Sequence, residues 1–160
     1  MVEYLRLTRL MALVEWHGNR LTEIRQEDAM AHRYINPPTL ARPTGYTHVV
    51  EAIGAQTFYI SGQVALDDSG NIVGEGDMRA QARQVFENLH TALRAIGAGF
   101  KDVVKLTYFV VDMERMPVIR EVRDQYIQPY ILPASTAVEV RRLAREEFLL
   151  EVEAIAVFGR

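Results

Sequence analysis

The stretch DMRAQARQVFENLHTALRAIGAGFKDVVKLTYFVV, residues 77–111, decides the fold of this chain. It reads as a capped helix followed at once by a strand. The Asp77 side chain can accept the unpaired N–H groups of a first helical turn, and Gly97 suits the left-handed residue that ends many helices. Between them, apolar residues recur every three or four positions and predict one buried helix face: Ala82, Val85, Phe86, Leu89, Leu93 and Ile96. The β-branched and aromatic run Val103–Val111 then predicts a strand buried on both faces.

The flanking sequence adds further strands and one more helix. Prolines and a glycine mark Asn36–Gly45 as an irregular loop before the first of them. The predicted elements are strands at Thr47–Ile53, Thr57–Ala65 and Ile72–Val73, a helix at Met116–Tyr130, and strands at Thr136–Val140 and Leu149–Val157. Two helices are too few to cover both faces of such a sheet, so we expect them on one face. The other, partly apolar face then needs a partner subunit, which predicts an oligomer.

The composition excludes several kinds of site. Of the 160 residues, 49% are hydrophobic and 24% charged, as in a globular domain. Because the chain has no cysteine, it has no disulfide, no thiolate metal site and no cysteine nucleophile. Its net charge of −3 argues against nucleic-acid binding, and no apolar run reaches the roughly 20 residues of a membrane span. The histidines lack metal-ligand spacing, so no metal is expected. A cysteine-free chain fits the reducing cytoplasm.

Residues 1–33 are interpreted as an N-terminal extension to a domain at 34–160. The segment Leu5–Val14 is apolar at roughly helical spacing, which favours an added helix. Arg6 and Arg9 interrupt it, so it does not resemble a secretion signal. The other interpretation is that Met30 is the true start and that the residues before it are translated from a misplaced start codon. The sequence leaves both interpretations open.

Four patterns resemble the signatures of one protein family. They are ISGQ at 60–63, QARQVFENL at 81–89, GAGFKDVVKLT at 97–107 and LEVEAIAV at 150–157. They occur in the family's order and at its separations, and together they cover roughly Tyr34 to Phe158. On these residues the chain is identified as a member of the Rid family, also called YjgF/YER057c/UK114.

The resemblance implies an α+β fold of the chorismate-mutase-like type, a six-stranded mixed sheet with two helices on one face. It also implies a homotrimer with three clefts between subunits. Members of the best-known branch hydrolyse reactive enamines and imines to a 2-oxo acid and ammonia, without cofactor or metal. An endoribonuclease activity is attached to some relatives, but this acidic chain has no composition suited to nucleic acid.

One signature position departs from that branch. There the segment before the fifth strand reads Pro-Ala-Arg-Ser, and the arginine pairs with the substrate carboxylate through its planar fork. Here the segment reads Pro133-Ala134-Ser135-Thr136, so Ser135 replaces the arginine. Arg141 and Arg142 would lie roughly 20 Å further along a strand, too far to replace it on the same chain. We therefore expect hydrolysis of 2-imino acids to be weak or absent.

The resemblance also assigns candidate site residues. Glu151 matches a glutamate that orients or activates a water, and a half-buried carboxylate can act as a general base. The alternative is that Glu151 is exposed and forms a salt bridge with Arg142 or Arg145. The candidate substrate-binding residues are Tyr46, Ser61, Gly62, Ser135 and Thr136. Gly62 permits close backbone approach to a ligand or, in the other interpretation, forms a bulge.

Two functions remain in competition. The first is a cofactor-free hydrolase of a small enamine, imine or related metabolite. The second is a non-catalytic trimer that binds a metabolite or a partner protein.

Asn88 is interpreted as a structural amide that ties its helix to a loop.

Overall fold

The chain divides into two units, Met1–Ala31 and His32–Arg160. The computed structural model describes residues 32–54 and 56–159 in full, together with two short strands of the first unit. These are β1 (Val14–His17) and β2 (Arg20–Glu23), which pair as an antiparallel hairpin. The helix predicted over Leu5–Val14 lies outside the described residues except for Val14, which begins β1.

The second unit is an α+β domain, as expected. Its elements are β3 (Arg33–Ile35), β4 (Val49–Glu51), β5 (Gln56–Gln63), α1 (Met78–Ala95), β6 (Val103–Val110), α2 (Met116–Arg123), β7 (Ala134–Glu139) and β8 (Leu150–Phe158). The main sheet has the strand order β5-β8-β6-β7, with β6 and β7 parallel and the other neighbours antiparallel. Within the residues described, this sheet holds four strands rather than the expected six, because β3 and β4 pair only with each other.

Two of the predicted strands are shorter than expected. The run Thr47–Ile53 divides, since Thr47 makes a single parallel bridge to Ala134 while Val49–Glu51 pairs with β3. The predicted strand Ile72–Val73 is reduced to one bridge between Leu66 and Ile72. Gly74, with a left-handed φ of 70°, follows the second of these segments and ends its ladder.

Helix α1 forms as the sequence predicts. The Asp77 carboxylate accepts the N–H groups of Arg79 at 2.9 Å and Ala80 at 3.2 Å, and Gly97 takes a left-handed φ of 79° just beyond the helix. Its buried face contains Ala82, Val85, Phe86, Leu89 and Leu93. Asn88 donates to the carbonyls of Val64 and Leu66 at 2.9 Å, which confirms its role as a structural tie.

Helix α2 is half as long as predicted. It begins at Met116 with Pro117 in its first turn and ends at Arg123 rather than Tyr130. The chain continues in tight turns, with the Tyr126 N–H donating to Arg123 O at 2.8 Å. The apolar spacing continues to Tyr126, but Pro129 disfavours helical backbone at the residue before it, and the helix stops ahead of it.

Both helices contribute to one core with a single face of the sheet. The buried strand residues alternate: Leu106, Tyr108 and Val110 on β6 lie opposite Ala154, Val152 and Leu150 on β8. The expectation that β6 is buried on both faces is therefore wrong for most of the strand in the single chain, because Lys105, Thr107 and Phe109 are half-exposed. The predicted one-sided cover is confirmed. On the open face Tyr59 is 80% exposed.

No helix in the described part of the chain is both long and apolar enough to span a bilayer.

Candidate functional site

The Glu151 carboxylate lies directly over Gly62. Strand β5 pairs with β8 from Gln56 to Ile60, then shifts register before Gln63, so a bulge falls at Ser61-Gly62. A Cβ placed on Gly62 would overlap the Glu151 Oε1 atom and lie 2.7 Å from its Cδ. The structure shows the bulge, and the group that approaches Gly62 closely in it is the Glu151 side chain. With the Glu151 side chain in this position, there is no room for a Cβ at Gly62.

The Glu151 carboxylate is available for chemistry. It is half-buried, and it forms no hydrogen bond or ion pair with any residue of 32–54 or 56–159. The alternative salt bridge to Arg142 or Arg145 is thus not made within the described chain. An unpaired carboxylate at a half-buried position can accept a proton from a bound water. Ser61, beside it, is exposed, and its carbonyl accepts from Gln63 Nε2 at 3.0 Å.

Tyr46 lies beside the start of β7, away from Glu151. The Thr47 N–H donates to Pro133 O at 3.2 Å, and the Thr47 hydroxyl donates to Leu132 O at 2.6 Å. These bonds hold the Tyr46 loop against the segment that leads into Ser135. The Tyr46 ring meets the His48 ring edge-on, with centroids 5.1 Å apart. The structure thus brings Tyr46 and Ser135 to one end of the sheet.

A buried arginine that the sequence did not single out fixes this loop. Arg123 is 5% exposed, and its Nη1 donates to Gly45 O at 2.6 Å while Nε and Nη2 donate to one oxygen of Asp124. Gly45 has a left-handed φ of 83°, which favours glycine. The one signal in the sequence is a charged residue directly after the buried Val122 of α2.

The Tyr108 phenol lies in the core near this arginine. Its hydroxyl is buried and has no hydrogen-bond partner among the described residues. Burial raises the pKa of Tyr108 to about 12, and the nearby Arg123 guanidinium opposes that rise. Tyr108 therefore stays protonated at neutral pH.

Ser135 and Thr136 point to opposite faces of β7. Ser135 pairs with the buried Leu106 and lies on the helix face, whereas Thr136 pairs with Thr107 on the open face. The Thr136 hydroxyl accepts from Lys105 Nζ at 2.5 Å. Burial lowers the pKa of Lys105 below its usual value, and Glu153 opposes that shift. The Thr136 hydroxyl is thus bonded to Lys105 on the open face and does not share a site with Ser135.

One subunit does not assemble the predicted site residues in one place. Glu151 pairs with Phe109, and Ser135 pairs with Leu106 two strands away. Three residues along and two strands across place their Cα atoms about 14 Å apart. Their side chains also point to opposite faces. Five of the six candidates therefore form two groups within a subunit: Glu151 with Ser61 and Gly62, and Tyr46 with Ser135. The sixth, Thr136, lies on the open face and is bonded to Lys105.

Among the described residues, no three histidine, aspartate or glutamate side chains cluster closely enough to hold a metal ion. The two groups of candidate residues offer a carboxylate, hydroxyls and backbone N–H groups.

Comparison with known proteins agrees with this fold. A family model described as Endoribonuclease L-PSP matches residues 39–158. A RutC family protein of Synechocystis is 38% identical over 109 residues, which are 67% of this chain and 83% of that protein. The 2-iminobutanoate/2-iminopropanoate deaminase of Mus musculus is 40% identical over 104 residues, 65% of this chain and 76% of the enzyme.

Solved structures show the same relationship. A Rid family protein of unknown function from Yersinia pestis, YyfB, has a TM-score of 0.73 and 37% identity, covering 81% of this chain and all of that chain. RidA from an Antarctic Psychrobacter has a TM-score of 0.60 and 31% identity, covering 74% of this chain and 92% of that one. With its family signatures, its α+β fold and these relatives, the chain belongs to the Rid (YjgF/YER057c/UK114) family.

Proposed function

We propose that this protein is a cofactor-free hydrolase of a small, reactive enamine or imine, acting in clefts between the subunits of a cytoplasmic homotrimer. The observation that carries the proposal is the unpaired Glu151 carboxylate held over the Cα of Gly62. A carboxylate fixed at a bulge, half-buried and without a protein partner, is suited to hold and deprotonate a water. The same chemistry is favoured by the family signatures of this chain and by the deaminase name of its mouse relative.

The reaction needs only water and one proton carrier. Glu151 takes a proton from the water, and the water oxygen bonds to the imine carbon. Glu151 passes that proton to the nitrogen, which gives a carbinolamine. Glu151 then carries the proton of the carbinolamine hydroxyl to the nitrogen as the carbon–nitrogen bond breaks, so the nitrogen leaves as ammonia or an amine and the oxygen becomes the carbonyl. The product is a carbonyl compound. Each atom of the water is accounted for, and no electron acceptor is required.

The proposed substrate is not a short 2-imino acid. Ser135 has no charge with which to hold a carboxylate at the position where the deaminase branch has arginine. A hydrogen bond to a charged group contributes about 1.5–3 kcal/mol, and 1.4 kcal/mol is tenfold in rate. The missing arginine should therefore cost about one to two decades in turnover of 2-iminobutanoate.

Two observations support assembly into a trimer. The open face of the sheet exposes large hydrophobic side chains, including Tyr59 and Val138, which is unfavourable in a monomer. In addition, Glu151 and Ser135 lie on opposite faces of one subunit. A cleft that uses both positions needs Glu151 from one subunit and Ser135 from its neighbour.

The test is a pair of substitutions assayed with 2-iminobutanoate generated by a pyridoxal-phosphate enzyme. We expect little turnover by the unmodified protein, a gain of about one to two decades in Ser135→Arg, and loss of that gain when Glu151→Gln is added. A screen of metabolites for consumption by the unmodified protein then seeks the natural substrate.

The competing function is a non-catalytic trimer that binds a metabolite or partner. That interpretation replaces the hydrolase if Ser135→Arg gains nothing and the screen finds compounds that bind but are not consumed. Robust turnover of 2-iminobutanoate by the unmodified protein would instead contradict the role given to Ser135.

A further inference from the structure

A cavity of about 280 Å³ opens at the carboxyl ends of the parallel strands β6 and β7. Val111, Arg141, Arg142 and Glu146 line it. The Val140 N–H donates to Val110 O at 2.9 Å, so the two strand ends are held together beneath the cavity. The cavity is open to solvent, because Arg141, Arg142 and Glu146 are all exposed, and its volume is close to the lower limit for small-molecule sites.

The cavity carries an excess of positive charge. Two guanidinium groups face one carboxylate, which leaves a formal charge of +1. Neither arginine forms an ion pair or a side-chain hydrogen bond with any residue in the described part of the domain, and neither does Glu146. The planar donor forks of both arginines are therefore available to a carboxylate or phosphate group.

The cavity and Glu151 share one end of the sheet. Phe109 of β6 lies opposite Glu151, and the Val111 N–H continues the ladder by donating to Leu149 O at 3.2 Å. Val111 lies two residues beyond Phe109 and therefore faces the same side of the sheet, about 7 Å along the strand. The lining of the cavity therefore begins, at Val111, about 7 Å along the sheet from Glu151.

We propose that this cavity binds an anionic group of the substrate, a carboxylate or a phosphate, at least about 7 Å from the bond that is hydrolysed. This inference rests on the proposed function and names its substrate class. In a 2-imino acid the carboxylate is attached to the imine carbon itself, so it cannot reach the cavity while the imine lies at Glu151. A longer anionic imine or enamine reaches both positions.

The first test measures binding of inorganic phosphate and of succinate to the full-length protein by calorimetry. Arg141→Met combined with Arg142→Met should weaken binding by about tenfold or more, the effect of losing one charge-assisted pair. Glu146→Gln should strengthen it, because a repelling carboxylate is removed. The charge-matched control is Arg94→Met combined with Arg120→Met, at two exposed helix positions.

Each outcome of these measurements either supports or overturns the anion site. Tighter binding of phosphate assigns a phosphorylated substrate, and tighter binding of succinate assigns a carboxylate. Absence of binding, or equal weakening in the control variant, overturns the assignment because the effect is then one of overall charge. Failure of the proposed function gives a different result from failure of the anion site. In that case anions still bind in the cavity, but Glu151→Gln does not change the turnover of any imine. If a long anionic imine is consumed equally well with and without the two arginines, the hydrolase function is supported and the anion site is overturned.

Discussion

The contact between Gly62 and Glu151 can be measured as a coupling energy. In Gly62→Ala, the new Cβ would overlap the Glu151 carboxylate, and it would lie 2.7 Å from Cδ and 2.8 Å from Cγ. All three atoms belong to a flexible side chain, so we expect the glutamate to rotate away and the backbone to remain in place. An off-rotamer side chain costs about 0.5–1.5 kcal/mol.

The same substitution has an opposing effect. The φ of Gly62 is outside the left-handed region, so alanine is compatible with the backbone there. Replacing glycine by alanine at such a position stabilises by about 0.4–1 kcal/mol through the unfolded chain. The net change in the free energy of unfolding for Gly62→Ala should therefore lie within about 1 kcal/mol of zero.

The coupling emerges when Glu151 is removed. In a Glu151→Ala background, the carboxylate is gone and Gly62→Ala should be stabilising. The double-mutant cycle then gives a coupling of about 0.5–1.5 kcal/mol. The assay is urea unfolding of the four proteins at one protein concentration, so that assembly affects all four alike. Additive effects, with coupling near zero, would refute the placement of the carboxylate over Gly62.

Three further predictions follow from other contacts. Arg123→Met should lower the free energy of unfolding by about 1.5–3 kcal/mol, because the Gly45 carbonyl loses a charged donor; Arg120→Met, at an exposed position, should change it by less than about 0.5 kcal/mol, and equal effects would contradict the clamp. The pKa values of Tyr108 and Tyr126 are raised to about 12 from 10.0, so the folded state holds their protons more tightly. Stability should fall as the pH rises from about 10 to about 12, and Tyr108→Phe with Tyr126→Phe should flatten that fall; an unchanged slope would be inconsistent with it. A chain beginning at Met30 should fold and assemble as the full chain does, as judged by circular dichroism and sedimentation, and failure would place residues 1–29 in the core.

The elements with strong local signals were predictable from sequence. Helix α1 carries its cap at Asp77 and an uninterrupted apolar face, so its place and its buried side were both correct. Helix α2 shows the limit of periodicity, because the apolar spacing continues to Tyr126 while the regular helix ends at Arg123 and the chain continues in turns. Propensity describes which residues can be helical, and Pro129 and the packing decide where the helix ends.

The face of a strand residue depended on pairing that the sequence does not contain. The family signatures located Glu151 and Ser135, but only the register of β6 with β7 and β8 places them on opposite faces. Arg123 was missed because its role depends on the Gly45 carbonyl, 78 residues away in the chain. The distance of Arg141 and Arg142 from Ser135 follows from strand length alone, whereas the position of their cavity relative to Glu151 required the antiparallel return of β8.

Mixing two kinds of subunit tests the central claim most directly. One chain carries Ser135→Arg with Glu151→Gln, and the other is unmodified; each alone lacks one of the two groups that 2-iminobutanoate hydrolysis needs. The chains are unfolded together, refolded together and assayed beside each chain refolded alone. If Glu151 and position 135 meet across a subunit boundary, activity appears only in the mixed sample. If the mixture is as inactive as its parts while Ser135→Arg alone is active, both groups act within one subunit and the proposed cleft is wrong.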